Sequence, residues 1–188
     1  MVLPVLFRLL YYNFLVDVYL NNQQLKIQDC GGEGDCFFHV LAKLLSLSDS
    51  PYQDLSYNHK RLREIADEFL KNLLEQEGEL LAKEIPDYFE QISNYLKLHD
   101  RQGVYADNFL IAAIVNALGI HIRFINSRNP EESYEIGSES SAHTAGFMLY
   151  DMGAEHYQAL VPIIPESTDE VIITEEDPKK KMARKWLD

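Results

Sequence analysis

The sequence predicts an α+β domain in which helices pack on a small central β-sheet. Three observations carry that reading: a short alternating strand near residue 25, about four helical segments after it, and a group of strands following them. The chain has 188 residues, enough for one domain of ordinary size with an extension and a real core. With 46% hydrophobic and 25% charged residues, the composition is that of a folded protein. A formal net charge of -13 argues against a nucleic-acid backbone as the main partner, because phosphate binding takes clustered Lys and Arg. It is compatible with a basic protein partner, and equally with an ordinary soluble acidic protein.

In chain order, Met1 to Leu20 is strongly apolar but interrupted by Arg8, Asn13 and Asp17. A membrane span needs about 20 apolar residues with few charges, and a secretory leader needs a basic start and a small-residue cleavage site. Neither pattern fits, so residues 1–24 read as an extension carrying a core-packing or partner-facing helix, with membrane contact disfavoured. Leu25 and Ile27 alternate with polar neighbours, a strand that runs into the loop Gly31-Gly32-Glu33-Gly34-Asp35. Cys36 then opens an apolar run, through Leu41, Leu44 and Leu45, with helical spacing. It stops in the loop formers between Ser46 and Pro51.

Leu62, Ile65, Ala66, Phe69, Leu70, Leu73 and Leu74 predict a helix from Asn58 to Gln76, with Gly78 as its punctuation. A second helical region from Leu80 to Leu96 is divided or kinked at Pro86. After the loop Arg101 to Tyr105, Asp107 and Asn108 start a helix that Gly119 stops. Strands follow over Ile120–Phe124 and Tyr134–Ile136, with a Ser-rich loop from Gly137 to Thr144. A hairpin then joins Gly146–Asp151 to His156–Ile164. Residues 25–165 form the expected domain, and the charged tail 166–188 reads as a solvated extension.

The only cysteines are Cys30 and Cys36, too few for a disulfide scaffold and without zinc-binding spacing. They read as free thiols in a reducing compartment such as the cytoplasm, and the pattern calls for no metal or cofactor. A cysteine at a helix N-terminus meets exposed amides and the positive end of the helix dipole, which favour thiolate over thiol. The same position also suits an inert buried cysteine. A thiol nucleophile needs a base. Of six histidines, His156 is the best placed, opening the last long strand after a tight connection, whereas His39 reads as packed or solvated on the Cys36 helix.

Glu33-Gly34-Asp35-Cys36-Phe37-Phe38-His39 resembles the D-G-[DN]-C-[LF]-[FY]-[HR] signature of the ovarian-tumour (OTU) family of papain-like deubiquitinases. Tyr105-Ala106-Asp107-Asn108 is similar to the family's W-A-D/G segment. Glu155-His156-Tyr157 looks like its catalytic-histidine motif, and the three follow in the family's order. The resemblance spans roughly Leu25 to Val161. It implies a papain-like OTU fold and a thiol isopeptidase that cleaves after the C-terminal glycine of ubiquitin or polyubiquitin, or of another ubiquitin-like modifier.

Carried over, Cys36 is the nucleophile and His156 its base, with backbone amides of Gly34 to Cys36 as the oxyanion hole. The sequence departs from the family at the orienting acid. Gln158 stands where an Asp or Asn is expected two residues after the histidine, and Glu33 stands where the cysteine signature has Asp. Gln158 ranks slightly ahead. Asp35 is expected to fix the loop, while Tyr105 and Asn108, with the 138–143 loop, border the channel for the modifier's tail. The alternative is an OTU-like ubiquitin-binding module with weak or no catalysis. A cysteine hydrolase acting on an unrelated peptide is a third reading.

Overall fold

The structure is a computed structural model that describes residues 5–47, 57–98, 101, 103–137, 143–151 and 156–163. Side chains are described from residue 14 onward, that of His143 excepted. The elements in order are α1 (Val5–Asn22), β1 (Leu25–Gln28), α2 (Cys36–Leu47), α3 (His59–Glu84), α4 (Pro86–Leu96), α5 (Asn108–Leu118), β2 (Ile120–Asn126), β3 (Tyr134–Ile136), β4 (His143–Asp151) and β5 (His156–Pro162). The tail 166–188, the 152–155 connection and most of the Ser-rich loop lie outside the described residues.

The five strands form one sheet in the order β1-β5-β4-β2-β3. Strands β2 and β4 pair in parallel, and the other neighbours are antiparallel. Tyr157, Ala159 and Val161 point to one face of β5, where α2 packs, together with Phe37, Phe38, Val40 and Leu41 of α2 and Leu62 of α3. Leu160 points to the opposite face, into a smaller cluster with Leu25, Ile125, Leu149 and Val16 and Leu20 of α1. The sheet is thus packed between helices, as the alternating patterns predict. Among the described residues, no helix is long and apolar enough to cross a membrane.

Two expected boundaries move: β4 begins at His143 rather than Gly146, and a helix runs on past its expected end. Helix α3 does not stop near Gly78 but runs on to Glu84. A lone glycine inside a helix costs only about 1 kcal/mol relative to alanine, and packing against a neighbouring helix offsets it. A Cβ at Gly78 would meet the Phe89 ring of α4 at an ordinary 3.7 Å. The break comes at Ile85, which leaves helical geometry, and Pro86 opens α4, where its missing N–H does no harm. Helix α5 has the expected ends: the Asp107 side chain caps it, and Gly119 stops it in the left-handed conformation.

Candidate active site

Cys36 is the first residue of α2, and only 2% of its surface is exposed. It is placed there by an apolar helix on one side and a glycine turn on the other. Phe37 beside it packs edge-to-face on Tyr157 with ring centroids 5.5 Å apart. The helix start is therefore seated against the strand that begins with His156. The turn admits no side chain at Gly34, where a Cβ would come within 1.6 Å of the Gly103 carbonyl oxygen. Gly32 has φ +85° and lies against the His39 ring, which a Cβ there would overlap at 2.2 Å.

The Cys36 N–H donates to the Glu33 carbonyl at 2.9 Å, closing the turn. Among the described residues, the N–H groups of Gly34 and Asp35 have no hydrogen-bond partner. Of the three amides expected to hold an oxyanion, two are therefore open, and the Cys36 amide is engaged within the turn.

His156 is partly buried and opens β5 opposite Asp151 of β4. Its Nε2 is hydrogen-bonded to Asp29 Oδ1 at 3.2 Å. The same carboxyl oxygen accepts the Gly31 N–H at 2.8 Å. The Gly31 amide first, and then the His156 side chain, hold the Asp29 carboxyl below its ordinary range. Among the described residues, neither expected orienting group, Gln158 or Glu33, is hydrogen-bonded to the imidazole. Gln158 shares a strand face with His156 but stands about 6–7 Å along the strand. Among the described residues, the exposed Glu33 side chain makes no hydrogen bond or ion pair, and the residue supplies its carbonyl to the turn.

Asp29 was missed because it lies outside the cysteine signature. Strand β1 pairs antiparallel with β5, Gln28 opposite Ala159, so the chain leaves β1 beside the start of β5. A carboxylate two residues before a glycine, at the end of a strand, was the available signal.

No hydrogen bond joins Cys36 to His156 among the described residues. Catalytic hydrogen bonds are often long in unliganded proteins and tighten when substrate binds. Cys30, also a free thiol, donates weakly to the Gln28 carbonyl at 3.7 Å, and burial pushes its thiol up.

The Asp35 carboxylate bonds to groups far along the chain rather than to the amides of its own loop. Its Oδ2 accepts the Gly103 N–H at 2.9 Å, and its Oδ1 takes two donors from Arg63, one of them Nε at 3.0 Å. Tyr105 stacks on Tyr157 with centroids 5.8 Å apart, and its buried hydroxyl lies near the phenols of Tyr157 and Tyr150 without a well-formed hydrogen bond. Burial and the neighbouring Tyr157 push that phenol far above its usual range. Asn108 is exposed at the first turn of α5 and contributes no contact to the site. No cluster of three or more metal-ligating side chains occurs among the described residues.

No protein-family model matches the sequence, and no curated protein matches it. Solved structures do match in fold. The OTU domain of OTUD1 superposes with a TM-score of 0.55 at 17% identity, covering 84% of this chain and 99% of that one. The viral OTU domain protease of Farallon virus superposes with a TM-score of 0.51 at 17% identity, covering 74% of this chain and 85% of that one. With its five-stranded mixed sheet, the helix that starts at Cys36 and the strand that starts at His156, the chain has the OTU-domain fold.

Proposed function

We propose that the protein is a cysteine isopeptidase that cleaves after the C-terminal glycine of ubiquitin or a closely related modifier. The observation that carries this reading is the His156–Asp29 pair. With Nε2 hydrogen-bonded to a carboxylate, the imidazole is held by one nitrogen, and Nδ1 is left without a partner among the described residues. That is the tautomer and orientation a thiol's base requires. In this reading Asp29, rather than Gln158 or Glu33, orients the histidine.

His156 takes the Cys36 proton, and the thiolate sulfur attacks the glycine carbonyl carbon. The amides of Gly34 and Asp35 hold the oxyanion. Collapse breaks the C–N bond as His156 protonates the leaving lysine amine, leaving a thioester on Cys36. Water, deprotonated by His156, then releases the glycine carboxylate and restores the thiol. Tyr105, stacked beside Tyr157, forms one wall for the modifier's tail.

A second reading, a ubiquitin-binding module without turnover, is favoured by the unformed Cys36–His156 hydrogen bond. An electrophilic ubiquitin C-terminal probe separates the two. The isopeptidase forms a covalent adduct that Cys36→Ala abolishes, whereas the binding module retains ubiquitin and never labels. Absence of both labelling and binding to any ubiquitin-like protein overturns both readings and leaves a hydrolase of a different peptide.

A further inference from the structure

Among the described residues, three helices begin with a side chain suited to capping, and one of the three does not cap. Asn58 Oδ1 accepts the Arg61 N–H at 2.9 Å at the start of α3. Asp107 Oδ1 accepts the Leu110 N–H at 3.4 Å at the start of α5. Asp35 occupies the same position before α2, since its carbonyl accepts the first helical N–H, from His39, at 3.1 Å. An aspartate there ordinarily turns its carboxylate onto the amides of the first turn. Here both carboxylate oxygens point away from the helix, to Arg63 and to the Gly103 amide. Among the described residues, no side chain caps the first turn of α2.

Arg63 is built to hold that carboxylate. Its side chain is only 5% exposed. Its guanidinium lies 4.4 Å over the Phe38 ring, Nη2 donates to the Val104 carbonyl at 2.7 Å, and Nη1 donates to the Tyr95 hydroxyl at 3.3 Å. Tyr95 in turn donates to Asp67 at 2.7 Å, and Asp67 accepts from Arg101 at 2.7 Å. A buried ion pair is weak evidence for stability as such, because desolvation consumes most of the Coulombic gain. Three hydrogen-bonded groups and one aromatic ring around a single arginine, next to the candidate nucleophile, call for another reason.

We propose that Arg63 is a positioning residue for Cys36: it withholds the Asp35 carboxylate from the first turn of α2, so that the positive end of this helix is left to the cysteine sulfur and to substrate. The inference rests on Cys36 being the nucleophile. Without Arg63, the carboxylate swings back onto the helix amides and places a negative charge beside the sulfur. The thiolate is then disfavoured.

The test measures iodoacetamide alkylation of Cys36 from pH 5.5 to 9 in a Cys30→Ser background, which needs no ubiquitin. Arg63→Gln is expected to slow alkylation at pH 6 by about tenfold and to move the profile to higher pH. Asp35→Asn, which removes the charge that Arg63 restrains, is expected to match or exceed the parent rate at pH 6. A merely structural pair predicts the same direction for both variants, and that result, or no change in either, overturns the inference.

If Arg63→Gln does not fold, as read by a thermal melt, Asp35→Asn still decides, because slowed alkylation at pH 6 refutes the proposal. Arg63→Lys, which keeps the charge without the fork, should fall between parent and Gln. A parent Cys36 that alkylates only near the pH of an ordinary thiol ends both this inference and the isopeptidase reading. Opposite shifts in the two variants, without probe labelling, would instead leave the inference standing and the substrate class wrong.

Discussion

The two candidate catalytic side chains stand on differently built supports. Cys36 is seated on a buried frame of Phe37 and Phe38, nearly without exposure, behind the Asp35–Arg63 ion pair. His156 is aimed by one hydrogen bond to Asp29, whose side chain is 62% exposed. Where water is excluded, a misplaced atom is expensive and position is fixed tightly. Where water competes, a single charged contact orients a ring yet lets it move. The candidate nucleophile is held by the core and the candidate base by one contact at the surface.

The sharpest break is Cys36→Ala, which should abolish covalent labelling by an electrophilic ubiquitin probe while retaining ubiquitin binding in a pull-down. Next comes His156→Ala, which should lower the labelling rate by roughly a thousandfold through loss of the base. Asp29→Ala should cost roughly tenfold, because the ring keeps its chemistry but loses its orientation. Gln158→Ala should change the rate by about twofold or less. If Gln158→Ala costs more than Asp29→Ala, the orienting residue has been assigned to the wrong side chain.

The Asp29 pair also fixes a pH expectation. A carboxyl whose folded-state pKa lies below its ordinary 3.8 contributes fully above that value, and the contribution is lost as pH falls through the lower one. Any loss of activity between pH 5 and 7 must therefore arise elsewhere than Asp29, and Asp29→Asn should leave the acid limb of the labelling profile in place.

Two smaller effects probe the nucleophile's side. Tyr105→Phe removes a buried hydroxyl that makes at best weak contacts with the neighbouring tyrosines, and should change the free energy of unfolding by less than about 1 kcal/mol in a denaturant titration. Its stacking on Tyr157 would be kept. Behind the glycine turn, His39 and His59 stack with ring centroids 4.0 Å apart. Burial, followed by the His39 neighbour and the cations Lys60 and Arg63, holds His59 below its ordinary 6.5, opposed by Asp35. A base depressed in the folded state binds fewer protons there than when unfolded, so stability is lost as pH falls below 6.5. His59→Phe should flatten the fall in melting temperature between pH 7.5 and 5.

Much of the frame was legible from local chemistry. Apolar spacing gave α2 and α5, Asp107 and Gly119 gave the ends of α5, and the glycine turn into Cys36 gave the position of the thiol. Gly78 misled because a glycine's intrinsic cost says nothing about the helix packed beside it, and α3 ran on to Glu84. Asp29 and Arg63 were illegible for a related reason. One lies 127 residues from His156 and the other 28 residues from Asp35. Neither pairing follows from periodicity or spacing.

The sequence by itself determined which residues could do chemistry and which local elements would carry them, because helix starts, turns and alternation depend on neighbours a few residues apart. Tertiary structure alone decided the partners: β1 pairing with β5 delivered Asp29 to His156, and α3 packing on α2 delivered Arg63 to Asp35. Charges are assigned by proximity in space, and only the closed fold sets that proximity.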